Sequence, residues 1–126
     1  MLRRKRQPPV DYSKANQLVS IYHNANGTFS KTSLLAFFDF RKNQNINKTG
    51  STETNGFLLV IPAMNVGDVI PPVHVGDKVV LGQGPTITSA ADWAAFIPSK
   101  VENMAVVRYV DPKYWEGAVA HWEAGG

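Results

Sequence analysis

The stretch Val101–Gly126 reads VENMAVVRYV, then DPKYW, then EGAVAHWEAGG, and the fold turns on it. Val101 to Val110 is rich in β-branched residues and has extended character. Asp111-Pro112 is a turn-initiating pair, because Pro112 fixes its own φ and pushes Asp111 out of the helical region. Beyond it, Glu116, Ala118, Ala120 and Trp122 share one side of an alternating pattern, and Trp115, Gly117, Val119 and His121 share the other. The stretch therefore predicts a strand–turn–strand unit that closes a small β domain, with Gly125-Gly126 freeing the chain from the sheet.

Working back from it, Ser89–Phe96 (SAADWAAF) carries an N-cap serine with Asp92 three residues on, and Pro98 stops it. This predicts a helix of one to two turns. Lys78–Gly82 (KVVLG) reads as a strand ended by Gly82-Gln83-Gly84-Pro85. Phe57–Ile61 (FLLVI), bounded by Gly56 and Pro62, reads as a buried central strand. Thr32–Phe40 (TSLLAFFDF) is apolar on both parities, which predicts a strand covered on both sides. Gln17–His23 is a first strand, followed by the turn pair Asn26-Gly27.

Between the apolar strands lie residues 41–55, RKNQNINKTGSTETN, a long polar loop whose reach predicts either disorder or a long hairpin excursion. A connection of this length is more often functional than idle. Residues 1–12, MLRRKRQPPVDY, form a basic arm in which Pro8-Pro9 favours an extended conformation. Residues 13–126 then make a single domain. Together these signals predict a mainly β fold, a small antiparallel barrel or sandwich of about six strands with one short helix.

Composition bounds the function. The net charge is +3, but Arg3, Arg4, Lys5 and Arg6 supply four of the thirteen basic residues; the remaining nine stand against ten acidic ones. The positive charge belongs to the arm, which reads either as a solvated, frayed terminus or as a segment lying on a neighbouring subunit or on nucleic-acid phosphates. With no cysteine there is neither a disulfide framework nor a thiolate metal site, which suits a reducing cytoplasm. No apolar run reaches the roughly 20 residues of a membrane helix.

Motifs of chemistry are sparse. His23, His74 and His121 sit on different elements without a second histidine at i+2 or i+4, so the spacing shows no metal pair. The carboxylates are scattered, and no nucleophile elbow or phosphate-binding loop is present. The expectation is a protein without catalytic residues, cofactor or metal. Phe37, Phe38, Trp93, Trp115 and Trp122 are the aromatic residues expected in the core or at an interface, with the tryptophans at the ends of the core.

The order of these signals carries a resemblance. Val60-Ile61-Pro62, then Gly76-Asp77-Lys78-Val79-Val80-Leu81-Gly82, then His121-Trp122-Glu123-Ala124-Gly125-Gly126, follow one another as in a family of small virion proteins of tailed bacteriophages. These are encoded among the head-to-tail joining genes and are often labelled minor capsid proteins. The resemblance covers roughly residues 17–126, with a shorter link between Pro62 and Gly76 and the added basic arm. It implies a stopper or head-completion protein: a ring of copies, commonly twelvefold, that joins portal and adaptor to tail terminator or tail tube and continues the DNA channel. It further implies assembly in the host cytoplasm, residence in the virion and no membrane partner. In that setting Arg41, Lys42 and Lys48 would face DNA in the lumen, and the arm would reach neighbouring subunits.

Other readings stand beside it. A different virion role, as tail terminator, decoration protein or tube component, fits the same signals. A small nucleic-acid-binding barrel would use Tyr22, Phe37 and Phe38 as stacking platforms. A small enzyme would use His121 and Glu123, two residues apart on one face of a strand.

Overall fold

The structure, a computed structural model, describes residues 10–47 and 50–126, with side chains described outside 41–55. Seven strands make one antiparallel sheet: β1 (Gln17–Ala25), β2 (Thr28–Asn47), β3 (Gly50–Pro62), β4 (Lys78–Leu81), β5 (Met104–Val106), β6 (Tyr109–Trp115) and β7 (Ala118–Gly125). Their order across the sheet is β5-β4-β1-β2-β3-β7-β6. One short helix, α1 (Ala90–Ala95), and a 3-10 turn at Ala63–Asn65 complete the secondary structure among the described residues.

Alternation along the strands builds the core. Val19 and Ile21 of β1, Leu34, Ala36 and Phe38 of β2, and Phe57, Leu59 and Ile61 of β3 meet Val79, Ala105, Val107, Trp122 and Ala124 on one inner face. Each position is two residues from the last on its strand, as a sheet with one face buried requires. The outer face of the β5-β4-β1 end carries a second cluster. There Tyr22, Val80 and Met104 are covered by Phe96, with Ile87, Trp93 and Val101 packed around them. The helix-bearing segment between β4 and β5 is therefore a lid on the back of the sheet.

The sheet does not close into a complete barrel. Its two edges, β5 and β6, are consecutive in the chain and separated only by Val107 and Arg108. At that point the backbone changes partner. Val107 N–H donates to Asp77 O (2.8 Å) before β4, and Arg108 N–H donates to Gly125 O (2.8 Å) at the end of β7. This switch divides what reads in sequence as one strand, Val101–Val110, and accounts for seven strands rather than six.

Three further expectations are corrected. Asp111-Pro112 is not the turn: both lie inside β6, with Pro112 opposite Trp122. A proline is tolerated there because β6 is an edge strand, where one side of the backbone needs no ladder donor. The reversal falls instead at Glu116-Gly117, both at positive φ (49° and 83°), the conformation of a tight hairpin turn. Nor do the closing glycines leave the sheet. Gly125 pairs with both Leu58 and Tyr109, and Gly126 O accepts from Phe57 N–H (3.3 Å). Finally, β2 is not covered on both sides along its length, since Leu35 is 47% exposed.

The helix starts as its sequence requires. Ser89 is extended and its Oγ accepts from Asp92 N–H (3.1 Å). Asp92 in turn accepts from Thr88 N–H (3.2 Å), so two backbone donors at the helix start are satisfied by side chains.

Candidate functional site

The described residues of the polar stretch, 41–47 and 50–55, continue β2 and β3 as a paired ribbon, in line with the hairpin excursion of the two readings. β2 and β3 stay in register from Phe37↔Val60 to Asn47↔Gly50. On one side β1 stops pairing with β2 at Ala36, and on the other β7 reaches β3 only as far as Leu58. From Arg41↔Gly56 outward, the described residues give the two strands no third partner in the ladder. Seven rungs of this ribbon run from Arg41↔Gly56 to Asn47↔Gly50, a length of about 20 Å at the antiparallel rise. The phenylalanines explain where it begins: among the described side chains, Phe38 and Phe57 are the outermost buried ones of the two strands. After Phe40 the sequence supplies polar residues with a single isoleucine.

The second candidate lies on β7. His121 is buried between two partners: Tyr12 Oη is 2.6 Å from its Nδ1, and its Nε2 is 3.1 Å from Glu123 Oε1. The carboxylate only accepts, so Nε2 carries a proton, and in the neutral ring Nδ1 then accepts from the Tyr12 hydroxyl. Burial, with Glu123 nearby as a lesser cause, holds the Tyr12 phenol above its ordinary value. That keeps the hydroxyl protonated as a hydrogen-bond donor, and the contact anchors residues 10–12 to β7. A pocket of about 190 Å³ opens beside it, lined by Val10, Lys113, Tyr114, Trp115 and His121 among others. The indole Nε1 of Trp115 is buried and has no hydrogen-bond acceptor among the described residues.

A third cluster joins residues far apart in sequence. His23 lies near the end of β1, and His74 and Asp77 lie in the turn that leads into β4. Since β1 and β4 pair as Tyr22↔Lys78, the next rung brings His23 opposite Asp77. His23 Nδ1 is 2.6 Å from Asp77 Oδ1, and His74 Nδ1 is 3.7 Å from Asp77 Oδ2. No local spacing of histidines announces this grouping; the only sequence signal is the turn Gly76-Asp77 running into a strand.

The structure distributes the aromatic residues expected in the core or at an interface. Phe38 and Trp122 are in the core, and Phe37 is half-buried on the opposite face of β2. Trp93 lies outside the sheet on α1, with the Lys78 ammonium 4.5 Å from its ring centre and Phe29 beside it. Burial pulls the Lys78 ammonium below its ordinary value. Tyr22 is buried under Phe96, which removes it as an open stacking platform. Arg41 and Lys42 lie on the first two rungs of the ribbon. Lys48 and the arm residues Arg3, Arg4, Lys5 and Arg6 lie outside the described residues. Among the described residues no helix is long and apolar enough to cross a membrane. No family model, curated protein or solved structure matches this chain.

Proposed function

We propose that this chain is a structural protein of a tailed-phage virion, a ring-forming subunit of the head-to-tail joint in a stopper or head-completion role. The observation that carries the reading is the β2–β3 ribbon. A two-stranded ribbon in water is marginal by itself, so a polar one of about 20 Å is most useful where it meets copies of itself around an axis. Its Arg41, Lys42 and Lys48 against a single Glu53 suit a channel through which DNA passes. Assembly with copies has support elsewhere. Met64, Val69, Ile70 and Val75, all on the segment between β3 and β4, are each more than half exposed, and apolar side chains gathered on one segment suit a subunit contact. In a closed ring such a contact would be heterologous, one face meeting a different face of the next copy. Portal or adaptor on one side, and tail terminator or tail tube on the other, are the neighbours this role requires.

Two measurements test the proposal. Purified virions should contain the chain in a fixed copy number at the neck. Replacing residues 43–54 with a two-residue turn should leave particles that package DNA but lose it. Absence of the chain from purified virions overturns the proposal, and so does full DNA retention by particles carrying the shortened chain.

A further inference from the structure

We propose that His23, His74 and Asp77 form a binding site for a divalent first-row transition ion of the zinc type. The inference is independent of the virion role. The three residues supply two imidazole nitrogens and one carboxylate oxygen, with one ligand atom from each lying within 4.8 Å of the others. Ligand atoms around a tetrahedral zinc ion, with bonds of about 2.0–2.1 Å, stand about 3.4 Å apart. His23 Nδ1 lies 2.6 Å from Asp77 Oδ1 and His74 Nδ1 lies 3.7 Å from the other oxygen, Oδ2, so the three side chains already stand near that spacing around one carboxylate. Reorientation of the two rings about Asp77 would bring one atom of each residue, now within 4.8 Å of the others, to the spacing an ion requires.

The frame is already fixed. Asp77 Oδ2 accepts from His74 N–H (2.8 Å), and Asp77 N–H donates to His74 O (3.1 Å). The turn between them is completed by Gly76 at φ +91°. Asp77 O accepts from Val107 N–H, and Gly76 N–H donates to Val107 O, each at 2.8 Å. The carboxylate is thus aimed by the backbone of its own turn, an outer contact of the kind that orients metal-bound carboxylates. Its side chain is 2% exposed, while the rings of His23 and His74 are 37% and 43% exposed. A buried carboxylate at the floor and two half-open imidazoles at the mouth leave a solvent side, where a fourth ligand, water or a substrate group, completes the coordination.

The donor set selects the ion. Two imidazoles and one carboxylate suit zinc, cobalt, nickel or copper, whereas calcium and magnesium prefer oxygen donors alone. The two rings already face one another with centroids 4.5 Å apart. In the metal-free chain a proton on His23 Nδ1 bridges to Asp77, and the ion replaces that proton.

The test uses the full chain. Titration with Co²⁺ should show one ion bound per chain with visible absorption of tetrahedral or five-coordinate type, displaced by one equivalent of Zn²⁺. Zn²⁺ at about a hundred times its Kd should raise the unfolding midpoint by about 5–10 °C. In wild-type protein, one equivalent of Zn²⁺ should shift the ring NMR signals of His23 and His74 and leave those of His121 in place. His74→Ala and Asp77→Asn should each weaken binding at least tenfold. No stoichiometric binding, preference for Mg²⁺ or Ca²⁺, movement of His121 alone, or unchanged affinity in folded His74→Ala would each overturn the site. The NMR arm decides the matter should a variant fail to fold.

Discussion

Tyr22 and Gly84 are fitted to each other on the back of the sheet. Tyr22 is 1% exposed, and its hydroxyl donates to Pro85 O (2.5 Å). A Cβ on Gly84 would meet that hydroxyl and would lie 2.7 Å from Val80 Cγ1. Gly84 also holds φ +65°, a conformation that costs an L-residue free energy. Neither neighbour can swing into solvent, because both belong to the cluster under Phe96. Gly84→Ala should therefore combine backbone strain with overpacking and cost about 2–4 kcal/mol of stability. Urea unfolding measures this. A loss of less than about 0.5 kcal/mol would mean that the loop relaxes freely, against the reading of a rigid cap.

The same phenol gives an alkaline signature. Burial raises the Tyr22 phenol above its ordinary value of 10.0, so the folded chain holds the proton more tightly than the unfolded one. The stabilisation is complete below pH about 10 and is lost as pH climbs through the raised value. Lys78, lowered from 10.5 by burial, acts in the opposite sense, gaining stability as pH rises toward 10.5. Comparison with Tyr22→Phe isolates the tyrosine. That variant should lose about 1 kcal/mol at pH 7, through the hydrogen bond to Pro85 O, and should lose less further stability than wild type between pH about 9.5 and about 11. Parallel stability curves for the two proteins would refute this.

Much of the architecture was legible because local signals agree with the tertiary outcome. Asn26-Gly27, Ser89 with Asp92, and the run Phe57–Ile61 each announce their element, and the structure places all three as read. The misreadings have one physical origin. Proline and glycine mark turns by their own torsional preferences, but an edge strand tolerates Pro112, and Gly125 lies in a strand beneath the Tyr109 ring. A Cβ at Gly125 would lie 2.5 Å from the Tyr109 hydroxyl. Which edge a strand occupies is set by partners far away in sequence. The grouping of His23 with His74 and Asp77 was hidden for the same reason, since it depends on the β1–β4 register.

The cap of α1 offers a local test. Ser89 Oγ accepts from Asp92 N–H (3.1 Å), and Asp92 is held below its ordinary value chiefly by the Thr88 backbone N–H. Ser89→Ala should cost about 1 kcal/mol, read from the unfolding midpoint, and Ser89→Asp should restore most of it. The Asp92 contribution is present above pH 3.8 and is lost as pH falls through the lowered value. Ser89→Ala without effect would show that Phe96 alone docks the segment.

The ribbon is expected to be separable from the fold. Among described residues its outer rungs pair only with each other, whereas the core needs Phe38, Phe57 and Leu59, which lie inside them. Lys42 and Asn55 are opposite one another, so residues 43–54 can be replaced by Asn-Gly, which favours the tight turn of a two-residue hairpin. The shortened chain gives up a pairing that contributes little in water, because a free two-stranded ribbon is close to neutral in stability. It should fold with a midpoint change equivalent to less than about 1 kcal/mol, and circular dichroism should show a lower strand signal with the tertiary tryptophan signature kept. Failure to fold would mean that these rungs nucleate the β2–β3 pairing. In that case, lost DNA retention in assembled particles would report on folding rather than on a channel contact.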